Sequence, residues 1–393
     1  MKLLRTISTR SLLVLVIAVT AIGGGGTAIA VAASRGTGPT PPPKPLTQAI
    51  HDALAAPEPD GITARIRFAN RLFPSGSVLG SVGSALMSGA SGRLWMTNDG
   101  RGRIELQSTA GDAQIVWNAT GVTVYDASSN TVYKLALPAR SAEPKRAGSP
   151  PSIAQIGAFL KELGANAAIS EAQPTNIAGR AAYSVSLAPK HDGGLLGAAR
   201  LAWDAARGVP LRVAIYAQGG SSPVLELTVT EIAYGRVASS DVDVSAPAGA
   251  TTVDLGQPAH AGGKPEGKDA AGAVSGLDAV KAAAGFPVVA PDTLVGLPRK
   301  DVRLVGGSDS KAVLVVYGQG LGAVVVVERQ AGSSQQKGDV LSSLPTVSLD
   351  GLTGHELATQ LGTVIQWQRA GVAYVLVGSL PPAAAEAAAR ALE

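Results

Sequence analysis

The sequence contains no cysteine and few aromatic residues. Among its 393 residues, Phe, Trp and Tyr together make up 4%. The absence of thiols excludes disulfides, thiolate nucleophiles, Cys-ligated metals and attachment of a lipid to a cysteine. The scarcity of aromatics goes with heavy use of Gly and Ala, and it points to a compositional bias more than to a function.

Catalytic and nucleic-acid-binding patterns are also missing. The four histidines (His51, His191, His260 and His355) are far apart, and none lies in an HxxE, HxH or HxxxH pattern. There is no GxSxG motif, and no block of Lys or Arg alternates with aromatics in this chain of net charge +4. We therefore expect no catalytic residues, no metal, no cofactor and no nucleic-acid partner. An enzyme would need a His/acid pair around His191 or His355 that only a structure can show.

The N-terminal segment predicts export. Lys2, Arg5 and Arg10 precede an apolar run over Leu12–Ile22, and A-x-A sequences follow it. Residues 1–33 are either a cleaved signal peptide or an N-terminal membrane anchor. In both cases the rest of the chain lies outside the cytoplasm, in the cell envelope.

The remaining chain divides into two predicted domains. Residues 34–45 form a Pro-rich spacer, and residues 46–255 form the first domain. Residues 256–276 are a polar linker rich in Gly and Ala, and residues 277–393 form a small α+β domain.

Within the first domain the pattern indicates antiparallel strands and two helices. Helical periodicity covers Leu46–Ala56 and Ser152–Leu163. Period-2 alternation with short polar turns predicts successive strands from Ile62–Phe68 to Val237–Val244. The Leu201–Ala217 stretch reads as a hairpin, because alternating runs lie on both sides of a turn that contains Gly and Pro.

A long sheet with one apolar face must be covered, and helices across it can leave a cavity for an apolar ligand. The same residue types also build an ordinary packed core, so that alternative stays open. The candidate cavity-lining residues are Phe68, Phe73, Trp95, Trp117, Phe159, Trp203, Leu211, Val213 and Ile215.

An ordered set of motifs carries a family resemblance. It comprises SGRLWM and GRIELQS, then VWNATGVTVYDASSNTVYKLALP, the helix SIAQIGAFLKEL, AGRAAYSVSLAP, and the W-D…G-x-P-L-R hairpin LAWDAARGVPLRVAIYA. In this order the chain resembles the LolA/LppX-like lipoprotein carrier superfamily. The segments FPVVAPDTL and GLGAVVVVERQ make the second domain similar to the small domain of RseB/MucB-like proteins.

The resemblance implies an α+β fold: an unclosed antiparallel β-barrel with covering helices, plus a small C-terminal α+β domain. It also implies a non-catalytic, extracytoplasmic binding protein for lipid or lipoprotein acyl chains. The alternative is an RseB-like envelope-stress regulator that binds a membrane anti-sigma factor or another membrane protein.

Overall fold

The structure is a computed structural model that describes residues 38–72, 85–137, 150–190, 194–254, 274–306, 311–319, 322–332 and 344–392. Several predictions of the sequence therefore fall outside the described residues. They are the export segment 1–33, Phe73, and all of the predicted linker except residues 274–276.

The first part of the chain builds one sheet of thirteen strands. They are β1 (Gly61–Asn70), β2 (Ala90–Thr97), β3 (Gly102–Ser108), β4 (Gly111–Trp117), β5 (Gly121–Asp126), β6 (Thr131–Ala136), β7 (Ala167–Ile169), β8 (Gln173–Ile177), β9 (Arg180–Pro189), β10 (Leu196–Asp204), β11 (Pro210–Ala217), β12 (Pro223–Tyr234) and β13 (Thr251–Asp254).

The strand order shows that this sheet does not close. It runs β13-β6-β5-β4-β3-β2-β1-β12-β11-β10-β9-β7, with β8 also paired to β9, so β13 and β7 are edges. Only the β13–β6 pair is parallel. The predicted fold class, an α+β half-barrel of antiparallel strands, is confirmed.

Alternating residue types determine which side of each strand is buried. In β1, Ile62, Ala64 and Ile66 are buried, whereas the alternate residues Thr63, Arg65 and Arg67 are exposed. The same alternation continues across the neighbouring strands, because directly paired residues of an antiparallel ladder point to the same face.

Four helical segments accompany the first sheet: α1 (Leu46–Ala55), α2 (Ala85–Ser88), α3 (Ile153–Leu163) and α4 (Ser239–Val242). The two helices predicted from periodicity, α1 and α3, are confirmed. Ser152 caps α3 in a reciprocal capping box with Gln155.

Two strand predictions are wrong in detail. Val237–Val244 is not a strand, because its middle forms the helical turn α4, which packs against β2 and β3. Its Asp241 carbonyl accepts a hydrogen bond from Arg103 Nη1 at 3.2 Å. The predicted strand at Ala168–Ala172 corresponds to the shorter β7, and the sequence interpretation missed β8.

The second sheet has eight strands and two helices of its own. The helices are α5 (Leu277–Ala284) and α6 (Pro382–Arg390). The strands are β14 (Thr293–Leu294), β15 (Leu297–Val305), β16 (Ala312–Tyr317), β17 (Val324–Gln330), β18 (Thr346–Leu349), β19 (Leu352–Ala358), β20 (Thr363–Arg369) and β21 (Val372–Gly378). Their order is β14-β15-β16-β17-β21-β20-β19-β18.

One face of the second sheet packs under α5 and α6. Val280 of α5 and Ala385 of α6 are fully buried against this face. Trp367 and Tyr374 stack there on adjacent strands, with ring centroids 5.0 Å apart.

Glu328 is an ionisable group within this core. Its side chain is 0% exposed, and one carboxylate oxygen accepts a hydrogen bond from the Val289 amide at 3.0 Å. Burial raises the pKa of Glu328 to about 7, although the Val289 hydrogen bond and the charge of Lys281 act in the opposite direction. Tyr374 and Tyr317 also lie in this core.

We expect the stability of this sheet to depend on pH through Glu328. The folded state holds a proton that the unfolded chain releases above its ordinary pKa of 4.5. The free energy of unfolding should therefore fall as pH rises from 4.5 to about 7. The loss should be on the order of 2–4 kcal/mol, and stability should level off above that range.

Urea unfolding at a series of pH values checks this. Glu328→Gln keeps an acceptor for the Val289 amide and should remove this part of the pH dependence. Glu162→Gln, at an exposed position, should leave the dependence unchanged. Parallel pH profiles for Glu328→Gln and the unaltered protein would contradict the assignment.

Candidate functional site

Strand register sorts the apolar side chains of the first sheet onto one face. Trp203 pairs with Tyr183, and Leu201 pairs with both Val185 and Val213. This face, called the covered face below, lies under α1 and α3 at the β9–β11 end and under α2 near β1–β4.

The cluster under α1 and α3 is fully packed. Trp203 is 2% exposed and Tyr183 is 2% exposed, with ring centroids 6.2 Å apart. The Tyr183 hydroxyl donates to the Pro42 carbonyl at 2.6 Å, which fixes the segment leading into α1. Glu171 accepts from the Leu46 amide at 3.2 Å and caps the start of α1.

Helix α3 is held less firmly than α1. It packs on α1, and only Ile156 among its residues is buried. Leu160 and Leu163 pack partly against the cluster below, whereas Ile153 is 44% exposed and Phe159 is 36% exposed. A helix with this little burial can shift at low energetic cost.

A second packed cluster lies on the covered face at β1–β4. Ile62 and Ile66 are each 2% exposed, and Leu106 and Ala113 are each 3% exposed. The short helix α2 covers them through Ala85, which is 0% exposed. The covered face therefore has two filled regions.

A third region of the covered face is apolar and only half-buried. In the β3–β4, β4–β5 and β5–β6 ladders, Ile104 pairs with Ile115, Ile115 with Val124 and Val124 with Tyr133. These four side chains therefore lie on the same face of the sheet. Trp117 lies beside them, and its ring packs over Gly102, which has no side chain. We call this region the β4–β6 strip: Ile115, Trp117, Val122, Val124, Tyr133 and Leu135, all of intermediate burial.

The structure brings most of the predicted lining residues to the covered face. Those on its strands are Phe68, Trp117, Trp203, Leu211, Val213 and Ile215. Trp95 is not among them, because it pairs with Thr63 and Arg103 on the opposite face, where the Arg103 guanidinium lies 5.1 Å from its ring centroid. Phe159 lies on the exposed edge of α3, and Phe73 falls outside the described residues. A ligand-lining role for these residues stays a prediction.

Sequence interpretation missed most of the β4–β6 strip. The sequence shows the alternation within each strand. Of the strip residues, however, only Trp117 is among the predicted lining residues. Val122, Val124 and Tyr133 become a set only once the hairpin register places them side by side. The signal that could have found them is the pairing implied by the tight turns between β4, β5 and β6.

The W-D hairpin motif has a structural role. Asp204 is 3% exposed and accepts hydrogen bonds from the Ala206 and Arg207 amides at 2.8 and 3.0 Å. The Tyr234 hydroxyl donates to the same carboxylate at 2.8 Å, and Arg180 lies 5.0 Å from the Tyr234 ring centroid. Burial and the carboxylate raise the pKa of Tyr234 well above its ordinary value, so it stays a donor. The motif closes the β10–β11 turn onto β12.

The described histidines do not form catalytic constellations. His51 Nδ1 lies 3.5 Å from Asp52, and His355 Nδ1 lies 3.1 Å from the Leu344 carbonyl oxygen. Within the described ranges, no group of three His, Asp or Glu side chains is placed to hold a metal ion. His191 and His260 fall outside those ranges.

No helix among the described residues is both long enough and apolar enough to cross a membrane.

Comparison with known proteins finds likenesses among solved structures. No family model matches the sequence. No curated protein matches it either. A chain of the Pseudomonas aeruginosa MucA/MucB complex is 12% identical, with TM-score 0.41, over 88% of this chain and 94% of that one. A crystal structure of MucB is 13% identical, with TM-score 0.33, over 88% of this chain and 96% of that one. A LolA-superfamily protein from Nitrosomonas europaea is 9% identical, with TM-score 0.20, over 51% of this chain and 98% of that one. Both groups named by the sequence resemblance are thus among the matches.

Removing the Asp204 carboxylate should destabilise the half-barrel. Asp204→Ala leaves two amides and the Tyr234 hydroxyl without their acceptor in a buried site, so we expect unfolding free energy to fall by about 3 kcal/mol. Asp204→Asn keeps one acceptor oxygen and should cost less. Urea unfolding followed by tryptophan fluorescence measures both.

The matched control Asp60→Ala, at an exposed position, should change stability by less than about 0.5 kcal/mol. Equal stabilities for Asp204→Ala and Asp60→Ala would contradict the assigned role.

Proposed function

We propose that this chain is a non-catalytic, extracytoplasmic binding protein for the acyl chains of a lipid or an acylated lipoprotein. Residues 46–255 would form the binding domain and residues 277–393 a second domain. The observation that carries the proposal is the β4–β6 strip, an apolar region of the covered face whose side chains are only half-buried.

Burial separates this strip from an ordinary core. Ile66 and Leu106, on the same face, are 2% and 3% exposed, whereas every residue of the strip is only half-buried. Covering an exposed CH₂ group contributes about 0.8 kcal/mol, so an acyl chain laid along the strip would be stabilised by several kcal/mol.

The chemistry of the strip also fits a flexible chain. Branched aliphatic side chains line it, and Trp117 and Tyr133 provide flat apolar surfaces at two of its corners. It contains no charged side chain, so it favours methylene groups over a charged headgroup. Helix α3, with Ile153 and Phe159 on its exposed edges, offers further apolar surface at the other end of the same face.

A charge on the strip should weaken binding of a fluorescent fatty-acyl probe. Val124→Asp places a carboxylate on the covered face, and its desolvation should weaken probe binding roughly tenfold or more. Thr123→Asp is the matched control, because Thr123 pairs with Val116 and Lys134 on the opposite face of the same strand. Probe fluorescence titrations of both variants measure the difference.

Thermal unfolding of the two variants shows whether each is folded at the temperature of the titration. Should Val124→Asp fail to fold, Val124→Thr introduces a smaller polar group at the same position. Acyl binding at this strip would be refuted if the folded Val124 variants and Thr123→Asp bound the probe with equal affinity. It would also be refuted if the unaltered protein bound no probe.

A second candidate function is that of a regulator that binds a membrane-bound anti-sigma factor. Its supporting observation is the uncovered face of the second sheet. Leu314 pairs with Val327 and Val327 with Val375 on this face, all half-buried, and Val377 beside them is 43% exposed. Contiguous exposed apolar surface of this kind is typical of protein–protein contacts.

Hydrogen bonds also fix the second sheet against the first. The Ser379 carbonyl accepts from the Leu195 amide at 2.8 Å. Gln360 donates from its amide to the Leu72 carbonyl at 3.1 Å and from its side chain to the Arg71 carbonyl at 2.6 Å. A partner could therefore contact both sheets at once.

Pull-down from solubilised membranes with the full chain tests this candidate. Val377→Asp should reduce capture of an anti-sigma factor, whereas Gln330→Asp, at an exposed polar position, should not. Recovery of no anti-sigma protein with the unaltered chain would count against it.

A further inference from the structure

The face opposite the covered face carries a row of arginines. They lie on four of five adjacent strands: Arg93 on β2, Arg65 and Arg67 on β1, Arg212 on β11 and Arg200 on β10, with β12 between β1 and β11. We call this surface the arginine face. Its side chains play no part in the acyl-binding proposal, because they point away from the β4–β6 strip.

The carboxylates of the arginine face are already paired. Glu231 accepts from Arg65 at 2.9 Å, and Glu226 accepts from Arg212 at 2.6 Å. Glu105 is paired with Arg103. Each of these acidic groups therefore neutralises one guanidinium, and other arginines remain.

Arg67 and Arg93 are the arginines of this face whose side chains have no partner among the described residues. Both side chains are exposed, and neither makes a hydrogen bond or an ion pair within the described part of the chain. Arg93 lies directly opposite Arg65 in the β1–β2 ladder and opposite Glu105 in the β2–β3 ladder, and Glu105 is ion-paired with Arg103. Arg67 lies opposite Ser91, one step along the same face. Like charges placed directly across a ladder repel each other, so an anion between them would be favoured.

A groove lies at these side chains. It has a volume of about 630 Å³. Its polar lining residues are Arg65, Arg67, Ser91, Arg93, Glu105, Gln107, Thr230 and Glu231. A shift in the β1–β12 register between Arg65 and Ile66 interrupts the ladder at this point. The lining supplies three guanidinium groups and neutral polar side chains, and its two carboxylates, Glu105 and Glu231, are ion-paired with Arg103 and Arg65. Guanidinium groups hold phosphate oxygens by forked hydrogen bonds.

The composition of the groove favours a lipid headgroup over a protein partner. Protein interfaces have an apolar centre with a polar rim. Here Ile66 and Gly92 are the only apolar residues of the lining, and Ile66 is 2% exposed. A surface that offers charge without an apolar centre matches the phosphates of a membrane.

We propose that the arginine face docks the phosphate headgroups of an anionic membrane surface, with Arg67 and Arg93 as its principal contacts. This inference is independent of the acyl-binding proposal, since it concerns the opposite face of the sheet. Together the two faces would let the protein rest on a membrane surface while the covered face stays available to a ligand.

Vesicle co-sedimentation of the full chain tests the inference. Vesicles of phosphatidylcholine alone should not bind, and vesicles that also contain phosphatidylglycerol should. The double variant Arg67→Gln/Arg93→Gln should bind the anionic vesicles on the order of 30-fold more weakly, given the usual contribution of an arginine near a charged membrane. Binding of the unaltered chain should weaken as salt is added.

The matched control is Arg236→Gln/Arg329→Gln, which removes the same charge from exposed positions away from the groove. It should keep most of the vesicle binding, whereas equal loss in both double variants would overturn the site.

Tight binding of inorganic phosphate without vesicle binding, or binding of polyglutamate in preference to vesicles, would overturn the membrane assignment. Fluorescent acyl-probe affinity should be the same in both double variants, which separates this test from that of the covered face.

Discussion

The structure depends on one constraint: a thirteen-stranded sheet with one apolar face has to be covered. Alternation in β1 and in the strands paired to it directs the apolar side chains to a single side. Helices α1 and α3 cover the β9–β11 end, and α2 covers the middle. The β4–β6 strip keeps part of its apolar surface accessible, and this is the surface that the proposed acyl ligand would cover.

Polar interactions among the described residues hold this arrangement in place. Asp204 ties the β10–β11 turn to Tyr234 of β12, and Glu171 caps α1. In the second sheet Glu328 holds the Val289 amide from within the core. Each of these carboxylates accepts from backbone donors or a tyrosine hydroxyl, so each has a structural role, and Asp204 and Glu328 have it in buried positions.

Much of the fold was predictable from the sequence, and the site was predictable only in part. Local sequence patterns predict α1, α3, the successive antiparallel strands and the Leu201–Ala217 hairpin, because periodicity and turn residues act over a few positions. Val237–Val244 was misassigned because its alternation resembles a strand, whereas Val242 is buried by turning back onto β2 and β3. The site depends on the pairing between strands. Alternation predicts that Trp95 and Met96 lie on opposite faces, but only their pairing with Thr63 and Ile62 shows that Met96, and not Trp95, lies on the covered face.

The most direct test of the account is photo-crosslinking of the full chain with a photoactivatable fatty acid, followed by peptide mapping. The account predicts adducts concentrated on peptides that contain Ile115, Trp117, Val124 and Tyr133, with competition by unlabelled fatty acid. Adducts confined to the second sheet or to the arginine face, or labelling that unlabelled fatty acid does not compete away, would contradict it.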